Sequence, residues 1–283
     1  MRDRLGKTVF TLAIVLAVTP LLAYLLGFSD LYWRIVTDLG DEPAYIALAV
    51  LLYTLVSPEL GYCALLSLAT SGWVNVLLKN TLMMPRPPPE LWKVKVSGYG
   101  FPSGHAQTSA AFWGAVALKV KHSSVALLGA VVATLVAYSR VELRVHYVHD
   151  VVGGLAIGLA SSAATLALVG KVGKHQSKLQ ASTLILYGLL VYLLYFVQLD
   201  PIFTRMGGVV AGLAAFPLIK ERIPRTAPFS TRLLSFATGL VAAFLITRLA
   251  SGWHPLLQLV AYAFAVVSVL VAPLLWKKSK EKK

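Results

Sequence analysis

The chain has 283 residues, of which 57% are hydrophobic and 13% charged, with a mean hydropathy of +0.72. Those proportions exclude an ordinary soluble domain, because apolar runs of roughly 20 residues, the length that crosses a bilayer core, recur from end to end. The net charge of +14 would suit nucleic acid, but the basic residues fall in short clusters between apolar runs, as cytoplasmic loops do, so no nucleic-acid partner is expected.

In chain order, helical spans are expected at about 8–27, 43–57, 61–79, 103–119, 123–139, 150–170, 182–198, 204–219, 232–250 and 256–276. The first follows Arg2, Arg4 and Lys7. Its apolar stretch is long for a signal peptide and no small-x-small site precedes Phe28, so it reads as an uncleaved helix. Segment 28–41 (FSDLYWRIVTDLGD) is too polar to span. Tyr32 and Trp33 suit a stretch lying at the headgroups, and an ordinary loop fits equally well. Cys63 lies in an apolar run, where a lone cysteine is a small buried hydrophobe with no disulfide partner. Segment 80–102 is the longest connection, and its prolines forbid regular helix around 85–89.

Orientation follows from the cations. With the N-terminus inside, 17 of the 26 basic residues fall on the cytoplasmic side: Arg2, Arg4, Lys7, Lys119, Lys121, Lys171, Lys174, Lys178, Lys220, Arg222, Arg225, Arg232 and the tail Lys277, Lys278, Lys280, Lys282 and Lys283. Both termini are then cytoplasmic. Arg34, Lys79, Arg86, Lys93, Lys95, Arg140, Arg144, Arg205 and Arg248 remain outside.

Three short polar groups stand at outer span ends: Lys79 with Arg86-Pro87, then Pro102-Ser103-Gly104-His105, then Ser139-Arg140 with His146 and Asp150. Phosphoryl transfer asks for such a set, because charge spreads over the phosphoryl oxygens and fixed donors should surround them. Lys79, Arg86 and Arg140 supply cations, and Ser103 and Gly104 open a helix whose free N–H groups favour an anion. A neutral histidine can attack phosphorus while a second protonates the leaving oxygen. His146 and Asp150 are four apart and share a helical face, so Asp150 can hold one ring nitrogen of His146. Taken singly, each residue has a plainer reading: a headgroup anchor, a helix start at Pro102 and Ser103, or a local surface pair at His146 and Asp150. Their conjunction, on the side that should be poor in Lys and Arg, favours a site.

The pattern Lys79-x6-Arg86-Pro87, Pro102-Ser103-Gly104-His105 and Ser139-Arg140-x5-His146-x3-Asp150 resembles the type 2 phosphatidic acid phosphatase superfamily, which includes vanadium haloperoxidases, in its membrane-integral branch. The resemblance implies an all-α, polytopic transmembrane bundle with a six-helix phosphatase core over 1–178 and about four extra C-terminal spans over 179–283. The four C-terminal spans are a departure from the six-span family pattern and read as an appended membrane module. The resemblance implies that His146 is the nucleophile and forms a phosphohistidine, that Asp150 orients it, and that His105 is the general acid and then the base for water. Lys79, Arg86, Ser103, Gly104 and Arg140 would bind the phosphoryl group, with no metal and no cofactor. The expected partner is a membrane lipid phosphate, with the site at the extracytoplasmic face of a plasma-membrane protein.

A lipid mono- or diphosphate is the expected substrate, with a polyprenyl diphosphate favoured by the outer-face site. A lipid phosphotransferase using the same residues is the alternative, and a transporter is a third reading. Polar residues concentrated at one end argue against transport. Glu142, Arg144 and His149 are expected at the site rim or to have no role, and His122, His175 and His254 to be incidental. Gly154, Gly158 and Ser162 read as close helix packing.

Overall fold

The computed structural model describes residues 2–171, 177–224 and 226–276. Lys174, His175, Arg225 and the Lys-rich tail from Lys277 lie outside the described residues. Helices α1 (Arg2–Leu25), α2 (Ser29–Asp38), α3 (Glu42–Leu51), α4 (Pro58–Leu82), α5 (Gly104–Val120), α6 (Ser123–Glu142), α7 (Val148–Lys171) and α8 (Ser177–Leu193) are followed by long helices at Pro201–Leu213, Phe229–Leu249 and Pro255–Leu275. No strand occurs among the described residues. The protein is an all-α polytopic membrane bundle. Large apolar side chains lie exposed along α1 and α8, including Leu12, Val15, Leu21, Leu186 and Leu190, as lipid-facing helices require.

Eight helices among the described residues are long and apolar enough to cross a bilayer, or nine if the bent pair α2 and α3, extended by a π-turn at Leu52–Val56, counts as one span. Two expectations change. Segment 28–41 is not a loop: ten of its residues form α2, which meets α3 at a 57° bend. Trp33 and Val36 draw α2 inward onto Val136, Leu143 and Val145, and that burial holds it helical. The fourth expected span forms α5, whose 17 residues make it shorter than the helices that are long and apolar enough to cross. Its buried face carries Gln107 and Ser109, which protein partners satisfy, so this face of α5 packs against protein.

Contacts group residues 1–46 with 70–167, and 47–69 with 168–283. Residues 47–69 and 168–178, both inside the expected core 1–178, are grouped by contacts with the C-terminal residues, and α4 has residues in both groups. In the first unit α5 packs on α6, and α7 approaches α5 closely. A methyl group on Gly154 would lie 2.6 Å from the Ser103 carbonyl, and one on Gly114 would lie 2.5 Å from Ser162 Oγ. The four-residue spacing of Gly154, Gly158 and Ser162 is this contact. In the second unit, Gly188 and Gly207 bring α8 and Pro201–Leu213 together in the same way.

Candidate active site

The site begins where α6 turns into α7. Tyr147 precedes the first residue of α7, and Asp150, three residues on, reaches back so that its Oδ2 accepts the Tyr147 N–H at 3.0 Å. This return from the third helical position caps the helix start. The same oxygen is 3.2 Å from His146 Nδ1. His146 is 4% exposed and Asp150 fully buried, so the pair is not a surface pair. On its other edge His146 Nε2 lies 2.8 Å from Arg86 Nη1. A guanidinium only donates, so Nε2 accepts and Nδ1 carries the hydrogen that points to Asp150.

Burial is the largest influence on His146 and pushes its pKa down to about 4. The hydrogen bond to Asp150 pulls it up, while Arg86, Arg140 and Lys79 push it further down. The imidazole is therefore neutral at physiological pH, with its lone pair on the nitrogen that faces the cations.

The cations are held by backbone. Arg86 donates to the Ser97, Gly98 and Val145 carbonyls, each at 2.9 Å, and Lys79 Nζ to the Tyr99 carbonyl at 2.9 Å. The proline-bearing connection is thus gathered onto the site by the residues it serves. Gly100 allows this approach, since a methyl group there would lie 2.9 Å from the Pro85 carbonyl and 3.1 Å from Asp150 Oδ2. Farther along, Trp92, Val94 and Val96 pack on the Trp33 cluster, and Lys93 pairs with Asp30 at 2.7 Å and Glu142 at 3.5 Å. Arg140, in the last turn of α6, is buried and donates to Thr37 Oγ1 at 2.6 Å.

Ser103 is fully buried, and its N–H donates to the Asp150 carbonyl at 2.9 Å. Its hydroxyl does not cap α5. Ser103 Oγ, Arg140 Nε and Asp150 Oδ1 are among the buried side-chain atoms of the described residues that have no hydrogen-bond partner, although such groups are normally satisfied. A methyl group on Gly104 would meet nothing closer than Asn75 Oδ1 at 3.6 Å, so the N-terminus of α5 has room above it. His105, one residue on, places Nε2 3.0 Å from Asp41 Oδ1. Arg140, His146, Lys79 and Arg86 all lie within electrostatic range of His105.

All eight residues singled out from the sequence, Lys79, Arg86, Ser103, Gly104, His105, Arg140, His146 and Asp150, lie in the first compact unit. Sequence reasoning missed their supports. Asn75 donates to the Pro102 carbonyl at 3.1 Å and to Gln107 Oε1 at 2.9 Å, while Gln107 donates to the Ser71 carbonyl at 2.8 Å. An amide side chain inside an apolar run was the available signal. Thr37 and Asp41 gave no such signal. His149, exposed, sits 3.0 Å from Asp150 Oδ1. His122 and His254 each accept from the N–H two residues on and so cap helices. Among the described residues, no group of three or more His, Cys, Asp or Glu could hold a metal ion.

Fold and site together define a polytopic helical membrane protein in which a buried histidine–aspartate pair is ringed by cations and free donors. Residues 60–174, which contain all eight residues, match the model of the PAP2 superfamily. Over 108 residues the chain is 36% identical to phosphatidylglycerophosphatase B of Bacillus subtilis, covering 35% of this chain and 53% of that protein. It is 27% identical over 168 residues to a probable sphingosine-1-phosphate phosphatase of Dictyostelium discoideum, covering 52% of this chain and 40% of that one. The chain thus spans about half the length of these relatives, or less. The crystal structure of a transmembrane PAP2-type phosphatidylglycerolphosphate phosphatase from Bacillus subtilis is similar at a TM-score of 0.47 and 24% identity, over 60% of this chain and 98% of that one.

Proposed function

We propose that this protein is a metal-independent lipid phosphatase that works through a phosphohistidine. The observation that carries the reading is His146, held by Asp150 on Nδ1 while Nε2 faces Arg86. In the first step Nε2 attacks phosphorus, the bond from phosphorus to the lipid oxygen breaks, and His105 gives that oxygen a proton. In the second, water attacks the phosphohistidine, His105 takes the water's proton, and phosphate leaves. Lys79, Arg86, Arg140, the Ser103 hydroxyl and the N–H groups opening α5 meet the charge on the phosphoryl oxygens. The buried Ser103 Oγ and Arg140 Nε, without protein partners, support that assignment.

The substrate is a lipid phosphomonoester or diphosphate reached at the headgroup level, with the site at the extracytoplasmic face and both termini cytoplasmic. The sorting of Lys and Arg along the sequence supports this orientation. An outer-face site favours a polyprenyl diphosphate, the spent carrier of surface-glycan assembly. The relatives are named for two phosphomonoester lipids, so a panel must contain both classes. Phosphate release in chelator, measured on the full chain in detergent, tests the mechanism: wild type should turn over and be inhibited by vanadate, and His146→Ala should be inactive. Full activity in His146→Ala refutes it. A panel without preference for isoprenoid diphosphates removes the substrate assignment alone.

A further inference from the structure

The bend between α2 and α3 delivers side chains to two members of the site at once. Thr37, in the last turn of α2, accepts from Arg140. Asp41, between the helices, places Oδ1 3.0 Å from His105 Nε2. Gly40 lies directly against the imidazole, since a methyl group there would come within 2.8 Å of His105 Cδ2 and 2.6 Å of Val136 Cγ1. Any other residue at 40 would push this bend away from His105. The Asp41 carbonyl also accepts the Ala44 N–H at 3.1 Å, which fixes Asp41 at the start of α3.

The charges explain why a carboxylate is needed here. The groups acting on His105 include Arg140 from α6, Lys79 from α4, Arg86 from the connection and His146. Burial above all, and the three permanent cations besides, oppose an imidazolium at His105, yet a group that protonates the leaving oxygen must hold a proton when the bond breaks. Asp150 is committed to His146 and the Tyr147 N–H. Asp41 is the carboxylate in contact with His105.

We propose that Asp41 is the positioning residue of His105, accepting its Nε2–H, stabilising the imidazolium, and leaving Nδ1 to give and take the proton. The proposal rests on reading His105 as the acid. Asp41 stays ionised throughout: the proton moves from His105 to the lipid oxygen as its bond to phosphorus breaks, and returns from water in the second step. Nothing in the sequence motifs points to Asp41, which precedes the family-matched segment.

The test compares two leaving groups in single-turnover experiments on the full chain in detergent. An alkyl phosphomonoester lipid needs its oxygen protonated, whereas p-nitrophenyl phosphate releases a stable anion without help. Asp41→Asn should slow alcohol release by about tenfold or more, a fraction of what general acids contribute, and leave nitrophenol release and KM unchanged. His105→Asn should show the same selectivity more strongly, and the double variant should lose nothing beyond His105→Asn. Asp41→Glu should recover part of the alcohol-release rate. Unchanged alcohol release in Asp41→Asn beside a selective His105→Asn overturns the proposal but leaves the acid assignment standing. Equal slowing of both substrates in Asp41→Asn reduces Asp41 to a structural role and overturns it too. A His105→Asn variant that is not selective overturns the acid assignment itself.

Discussion

Replacing Asp150 by Asn removes one charge from the centre of the site and almost nothing else. Asn has the same shape, and its amide oxygen can still accept both the Tyr147 N–H and His146 Nδ1–H, which Oδ2 accepts at 3.0 and 3.2 Å. Its amide nitrogen would take the place of Oδ1, which has no hydrogen-bond partner now. The fold should therefore survive, with an unfolding midpoint moved by less than about 4 °C. On the proposed mechanism, the cationic phosphohistidine loses the carboxylate that stabilises its Nδ1–H. A hydrogen bond to a charged group contributes roughly 1.5–3 kcal/mol, so kcat should fall about 10- to 160-fold. Phosphate release, trapping of labelled phosphoenzyme and thermal unfolding should be measured on one preparation. Two results would refute the reasoning: an unchanged kcat, or a kcat that falls only in step with the folded fraction.

The pH profile offers a second test. Protonated His146 cannot attack, so activity is lost as pH falls through its pKa, which burial lowers to about 4. Below about pH 6 a phosphomonoester is largely a monoanion, so a decline of kcat/KM centred near 4 belongs to the protein, and a profile without a decline between about pH 5 and 3 contradicts the burial argument. Gly154→Ala places a methyl group 2.6 Å from the Ser103 carbonyl. It should cost about 1–3 kcal/mol by overpacking and lower activity, whereas Gly252→Ala, with open space around it, should change neither; thermal melts beside turnover decide. Asn75→Leu strands the Gln107 amide oxygen and the Pro102 carbonyl, at about 1–3 kcal/mol, and should weaken vanadate inhibition, because the turn that presents Ser103 is then unsupported.

The sequence made the ends of the site legible because the motifs are local. Arg86 follows Lys79 by seven residues and Asp150 follows His146 by four, so chain geometry alone relates them. The ten expected spans all appear as helices for the same reason, since apolar runs of that length have few alternatives in lipid. What escaped was long-range. Thr37 is 103 residues from Arg140, and Asp41 is 64 from His105, pairings that no periodicity encodes. Segment 28–41 looked too polar to span, and left open whether it was an interfacial stretch or a loop; its helix forms because Trp33 and Val36 find a surface on α6 and the turn after it.

The partners of the cations bear on why the site attracts phosphate. Lys79 and Arg86 donate to carbonyls, and Arg140 to a hydroxyl. Such partners orient a buried cation without cancelling its charge, whereas a carboxylate would neutralise it and compete with the phosphoryl oxygens. Thr37→Asp tests this directly, because it sets a carboxylate about where Thr37 Oγ1 now meets Arg140 Nη1 at 2.6 Å. The new ion pair should hold or raise the unfolding temperature while it weakens substrate and vanadate binding by about tenfold, the loss of about 1.4 kcal/mol of charge-assisted bonding. Thr37→Ser keeps the neutral acceptor and should behave as wild type. Should Thr37→Asp bind vanadate as tightly as wild type, the field of Arg140 would not be what holds the phosphoryl group, and its part would be to fasten α6 to α2.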